Sequence, residues 1–183
     1  MSKKVLSFAA ILVFAVAVAL ADDKPKADPT AKNLVNNGNM EEVAGGKPAK
    51  WGIAAAEGGK IDFASSTEQP KEGKRCMLLK GSAEWGVAYS EKIPLDRKKT
   101  YVLTGFAWAK KGAARIKIDY YQGDKYLGMT ESDDVNTDKW QQLKVTAEPD
   151  SFPEATHLLA CAVVVGDFEA LFDDFVMTAK AGK

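Results

Sequence analysis

The chain has 183 residues, with 25 basic and 25 acidic side chains, 46% apolar residues and two cysteines. Zero net charge without a basic block speaks against nucleic acid as a partner, because phosphate recognition draws on clustered Lys and Arg. Beyond the N-terminal segment, about 150 residues remain, enough for one ordinary domain with a real core.

The N-terminus reads as an address. Lys3 and Lys4 precede an apolar run over residues 5–20, broken only by Ser7. Ala19-Leu20-Ala21 then fits the small-x-small rule for signal cleavage. The run falls short of the roughly 20 residues of a spanning helix, so a removed signal peptide over 1–21 is expected rather than a retained anchor. The expectation is a secreted protein in the periplasm, at a surface or in the medium, with no stable membrane insertion after cleavage. Residues 22–32, rich in Asp, Lys, Pro and Ala, read as a flexible linker. The folded domain is expected over 33–180.

Leu34 and Val35 start a first strand, which Asn36-Asn37-Gly38-Asn39 bends, because Asn and Gly tolerate positive φ. Gly45-Gly46-Lys47-Pro48 is a turn before Trp51-Gly52-Ile53, and Gly58-Gly59 is another before a strand at 60–64. Residues 68–74 form a polar loop, followed by the buried-type run Cys76-Met77-Leu78-Leu79. A strand at 85–89 follows, and Ile93-Pro94-Leu95-Asp96 leads through a solvated basic turn into a long strand at 101–109. Residues 115–121 alternate cleanly. Ile116, Ile118 and Tyr120 face one way; Arg115, Lys117, Asp119 and Tyr121 face the other, as in an antiparallel strand with one wet face. Gln122-Gly123-Asp124-Lys125 is a turn. Strands at 140–146, 157–165 and 171–178 complete the set. Roughly nine or ten short strands without βαβ spacing imply an all-β fold, a two-sheet antiparallel β-sandwich.

Both ends carry acids inside apolar strand patterns: Glu41-Glu42 near the start and Asp173-Asp174 near the close. They suggest a sandwich whose ends meet and could share a cation; the alternative is exposed or Lys/Arg-paired carboxylates. Alternation puts Glu42 and Asp174 on the face opposite to their neighbours. Cys76 and Cys161 lie in apolar segments, where two buried thiols are favoured over a disulfide.

A site for a ligand with both apolar faces and polar groups needs aromatic platforms beside polar side chains. The aromatic candidates are Trp85, Tyr89, Trp108, Tyr120, Tyr121 and Tyr126. Tyr121 shares its face with Arg115, Lys117 and Asp119, so one strand offers both stacking and hydrogen bonding. Tyr126 flanks the neighbouring turn, and Trp85 stands beside Gly86 as a rim residue. Catalysis has little to build on. The single His157 has no Ser or Cys partner in evident reach, and neighbouring acids on a strand face opposite ways rather than across a cleft. A non-enzyme is expected.

The ordered series Asn33-Leu34-Val35, Asn37-Gly38, Met40-Glu41, Trp51, Glu72-Gly73-Lys74, Thr100-Tyr101-Val102-Leu103, Trp140 and Leu171-Phe172-Asp173-Asp174-Phe175 resembles the jelly-roll carbohydrate-binding modules attached to bacterial cellulases and xylanases. Those modules have a galactose-binding-like fold. The resemblance implies a non-catalytic, monomeric module whose partner is a polysaccharide or other glycan. It implies core roles for Trp51 and Trp140. It also implies a structural calcium between Glu41 and Asp173, with main-chain oxygens near Glu72 and Lys74; calcium takes such mixed oxygen ligands. Tyr121, Tyr126 and Trp85 would stack on the sugar, and Arg115, Lys117 and Asp119 would bond its hydroxyls. The alternative is a cell-envelope structural or protein-interaction domain with the same fold and no sugar binding. Exposed aromatics on one sheet face favour the first reading; a charged face with every aromatic buried favours the second.

Overall fold

A computed structural model describes residues 32–147 and 149–181. The expected signal peptide, and the expected linker up to residue 31, lie outside the described residues. Ten strands follow one another: β1 (Val43–Ala44), β2 (Lys47–Pro48), β3 (Trp51–Ala55), β4 (Lys60–Ser66), β5 (Cys76–Ser90), β6 (Ile93–Pro94), β7 (Lys99–Gln122), β8 (Lys125–Glu131), β9 (Gln141–Ala147) and β10 (His157–Ala181). A 3₁₀ turn at Pro149–Ser151 interrupts them.

The strands form an antiparallel β-sandwich, and three long strands serve both layers. In the first layer, the C-terminal half of β5 pairs with β3, and the N-terminal half of β10 lies between it and the C-terminal half of β7. β8 closes that layer beyond β7. In the second layer, the other halves of β5, β10 and β7 run between β4 and β9. The change of layer falls at register shifts between Val164 and Gly166 and between Val165 and Glu169. Bulges of this kind bend a strand and turn its corner. Gly112 sits at the same corner on β7, with φ +74° and its backbone so near Asp167 that a Cβ would lie 2.5 Å from that carbonyl oxygen.

This corner explains why two strands were expected where one exists. The segments 101–109 and 115–121 are parts of β7, joined through Lys110 to Ala114; 157–165 and 171–178 are parts of β10; 76–79 and 85–89 are parts of β5. The charged and glycine residues between them read as turns, but they are outward or corner positions. β8 was not expected at all, because only Gly123-Asp124 turns and Lys125 already pairs with Gln122.

The core lies between the layers. Ile116, Ile118 and Tyr120 from β7 meet Leu158, Ala160, Ala162 and Val164 from β10, all essentially inaccessible. Phe168, Phe172 and Phe175 continue it along β10. Burying each large side chain contributes roughly 1.5–3 kcal/mol. β10 is central, and residues 157–164 are buried on both faces. The odd positions Leu159, Cys161 and Val163 form a separate apolar cluster with Val87 on the outer face of the first layer.

The chain's start closes the sandwich without forming a strand. Asn33 donates from Nδ2 to the Phe175 carbonyl at 2.9 Å and accepts from Met177 N at 2.9 Å. Leu34 N reaches the Met177 carbonyl at 2.9 Å, and Phe175 N reaches the Gly38 carbonyl at 2.8 Å. This strap fills the gap that β7 leaves on β10 between Asp173 and Val176. A side chain at Gly38 would collide with the Phe175 carbonyl, so the close approach requires glycine.

Candidate ligand-binding site

Cross-strand pairing arranges the outer face of the first layer in rows. One row runs from Tyr126 on β8 to Tyr121 on β7 and His157 on β10. The next carries Met129, Asp119 and Leu159. A third carries Glu131, Lys117, Cys161 and Tyr89. A fourth carries Arg115, Val163, Val87 and Ala54. These rows line an open cavity of about 730 Å³, with Trp85, Lys92 and Asp124 at its edges. Its size falls in the usual range for small-molecule sites, roughly 300–1,000 Å³.

The cavity is apolar in its floor and aromatic at its rim. Val87, Leu159 and Val163 supply the floor, each under a tenth exposed. Four large apolar residues are exposed among the described residues, and three of them line this cavity: Trp85 at 43%, Tyr126 at 47% and Met129 at 44%. Tyr121 meets Tyr126 edge to face, with ring centroids 5.6 Å apart. On its other side Tyr121 stacks on His157 at 5.6 Å and 12°. Burial raises both tyrosine hydroxyls above their ordinary value, as does the nearby Asp119, so both are proton donors at neutral pH.

The charged groups of the face are held in pairs. Arg115 contacts Glu131 at 2.9 Å through Nη1 and Asp134 at 3.0 Å through Nε. Lys117 Nζ lies 2.9 Å from Asp119 Oδ1 and 6.0 Å from the Tyr126 ring centroid. The other oxygen of Asp119 accepts from the Cys161 thiol at 3.4 Å. Burial pushes Asp119 up and the Lys117 ammonium pulls it back. Lys92 and Asp124 pair at 2.9 Å on the exposed edge. Each cation is therefore oriented by a carboxylate and keeps N–H groups for a ligand's oxygens.

Trp85, Arg115, Lys117, Asp119, Tyr121 and Tyr126, the six residues expected to meet a ligand, all line this one cavity. Of the other aromatic candidates, Tyr89 lines it too, Tyr120 is buried in the core against Phe152, and Trp108 lies on the second layer against Trp140. Trp51 packs in the core on Phe175. Trp140 is half-buried outside the core, where its indole N–H donates to the Gln69 carbonyl at 3.1 Å. Sequence reasoning missed Met129, Lys92, Asp124 and His157. The alternation of 157–165, whose odd positions share a face with Tyr121, was the signal for His157.

The acids at the chain's ends converge on one loop. Glu41 Oε1 accepts from Lys74 N at 2.7 Å and Arg75 N at 3.0 Å. Asp173 Oδ2 accepts from Lys71 N at 3.0 Å and Glu72 N at 3.3 Å, and its Oδ1 from Asp174 N at 2.8 Å. Asp173 is fully buried, and burial pushes its carboxyl up to about 7. Lys74 enters through its main-chain N–H, and so does Glu72. The loop's amides therefore serve Glu41 Oε1 and Asp173 Oδ2. Among the described residues no three His, Cys, Asp or Glu side chains converge as a side-chain metal site would need. Asp174 does not point away as alternation predicts. It sits at φ +50° in the bulge, half-buried; burial, then Glu72, pushes its carboxyl up, with Glu41 adding and Lys71 opposing. The two cysteines are free and buried.

The fold is an antiparallel β-sandwich with an aromatic-rimmed cavity on one sheet face. The carbohydrate binding domain family matches residues 32–159, more than half of the chain, and the chain belongs to that family. The xylan-binding domain CBM22-1 of Xyn10C from Paenibacillus barcinonensis is 14% identical, with TM-score 0.59 over 84% of this chain and 97% of that one. A structure described as "CBM4 structure and function" is 20% identical, with TM-score 0.56 over 80% and 99%. The enzymatically active domain of tailspike protein 4 from bacteriophage CBA120 is 10% identical, with TM-score 0.62 over 81% of this chain but 21% of that one. At such identities the likeness concerns the fold. No curated protein matches the chain.

Proposed function

We propose that the protein is a secreted, non-catalytic, monomeric module that binds a polysaccharide in the cavity on the outer face of the first layer. One observation carries this reading: three of the four exposed large apolar residues among the described residues border that cavity, beside oriented charged pairs. In a binding module, exposed rings receive the C–H faces of sugar rings, and fixed polar groups bond the hydroxyls. Trp85 and Tyr126 are the platforms. Tyr121 supports Tyr126 edge to face and offers its hydroxyl. Arg115 and Lys117 donate to ligand oxygens, and Asp119 accepts from hydroxyls. The exposed aromatics favour this reading over an envelope domain without sugar binding.

The calcium between the chain's ends belongs to the same proposal. With Glu41 Oε1 and both Asp173 oxygens engaged by amides, a cation there would draw on Glu41 Oε2, on loop carbonyls around Glu72 to Lys74 and on Asp174, and it would offset the repulsion that Glu72 and Glu41 exert on Asp174.

An array of soluble and insoluble polysaccharides tests the binding proposal. Xylan is the first probe, because a structural neighbour is described as xylan-binding. Retention on one or more polysaccharides, lost in Trp85→Ala/Tyr126→Ala, is the expected result. No retention on any of them contradicts it.

A further inference from the structure

His157 is the chain's only histidine, and it was set aside above as a candidate for catalysis. Its surroundings give it another task. The residue is 7% exposed, and its ring stacks nearly parallel on Tyr121 and borders the cavity. Its Nδ1 lies 3.2 Å from Thr156 Oγ1. That hydroxyl has one proton, which rotates and reaches the Tyr121 carbonyl at 3.3 Å. It already accepts from Gly123 N at 3.3 Å. With its proton on that carbonyl, the hydroxyl meets His157 as an acceptor, and Nδ1 carries the ring proton. Nε2 is left as a lone-pair acceptor, buried and without a hydrogen-bond partner among the described residues.

We propose that His157 is a positioning residue for the Tyr121–Tyr126 row, that it holds Tyr121 as the neutral Nδ1–H tautomer, and that its protonation releases the row. The consequence for glycan affinity rests on the function proposed above; the tautomer and the release do not. A proton on Nε2 would create a buried cationic donor with no acceptor among the described residues, a state disfavoured unless the ring moves to water. Moving the ring breaks its stack on Tyr121, and Tyr121 in turn supports Tyr126. The charged groups facing the ring come from both flanking turns: Lys92 before β6 opposes a positive charge, and Asp124 between β7 and β8 favours one. Tyr121 on β7 covers its face. Burial and Lys92 outweigh Asp124 and hold His157 below its ordinary value. The sign follows. The neutral row is intact above about pH 6.5, and its contribution is lost as pH falls from there through the lowered pKa.

With one histidine, a long-range ¹H–¹⁵N spectrum of the protein needs no assignment to read this ring. The expected result is a protonated Nδ1 and a bare Nε2 near pH 7.5, with Tyr121 and Tyr126 ring signals shifting at the His157 midpoint below about 6.5. His157→Phe keeps a stacking ring and removes the titration, so its tyrosine signals stay fixed with pH. In parallel, affinity for soluble xylan falls about tenfold from pH 7.5 to pH 5 in the parent and stays level in His157→Phe. A proton on Nε2, tyrosine signals that ignore the His157 titration, or the same pH profile in both proteins overturns the proposal. If the spectra behave as expected and xylan does not bind at any pH, xylan recognition fails and the positioning role stands.

Discussion

The two outer faces of the sandwich start from the same material and end differently. Each carries aromatics at alternating positions of β7: Tyr121 on the first layer, Phe106 and Trp108 on the second. On the second layer the loop between β4 and β5 folds over them. Lys71 lies 4.7 Å above the Phe106 ring, Gln69 accepts from Trp140, and Trp140 closes edge-on against Trp108 at 5.9 Å. Lys110 covers Trp108 from the other side and pairs with Glu68 of the same loop. Asp173, opposite Phe106 in register, fastens that loop through its amides. Among the described residues no such cover lies over Trp85 and Tyr126, which are 43% and 47% exposed. Alternation decides which aromatics face outward; a loop fastened to a buried acid decides which of them stay available.

Removing the fastening should have the largest effect. Asp173→Ala leaves the Lys71, Glu72 and Asp174 amides without their acceptor and should destabilise the fold by about 2–4 kcal/mol, read by urea unfolding. A change below about 0.5 kcal/mol would show that the loop holds itself. Next come the open aromatics. Trp85→Ala and Tyr126→Ala should each weaken polysaccharide binding about tenfold while thermal unfolding hardly changes, since both side chains are more than two-fifths exposed. Chelation should lower Tm by about 5 °C if calcium joins the ends, because a ligand held by the folded state alone adds stability; an unchanged melt removes the cation from the clasp. Trp108→Ala should leave binding unaltered, as its ring lies under the covered face. The smallest effect concerns Cys76 and Cys161. Burial raises both thiols, Cys76 to about 12, so native protein should resist alkylation near pH 8 until it is unfolded. Rapid labelling of either, followed by mass spectrometry, would contradict their burial.

Much of this was legible in the residue order, and the reasons are physical. The alternation from Arg115 to Tyr121 separates core from wet face because a strand has period two. The strand boundaries were not legible. Gly112 and Gly166 look like turn residues, yet they sit where single strands pass from one layer to the other. Asp174 was misplaced for a related reason: a left-handed residue in a bulge breaks the alternation that strand logic assumes. His157 was underestimated because β10 is apolar on both faces, so its outward phase is hidden. The core role that the resemblance implied for Trp140 did not hold, because a loop roofs this ring on the outer face instead of the two layers enclosing it.

The two faces differ above all in which of them takes the ligand. The most direct measurement is equilibrium binding of soluble xylan and the array-positive polysaccharides to three proteins: the parent, Trp85→Ala/Tyr126→Ala, and Trp108→Ala. The expected outcome is binding by the parent and by Trp108→Ala, and a loss of about a hundredfold in the double variant. Binding that survives the double variant and disappears in Trp108→Ala would move the site to the covered face and contradict the account.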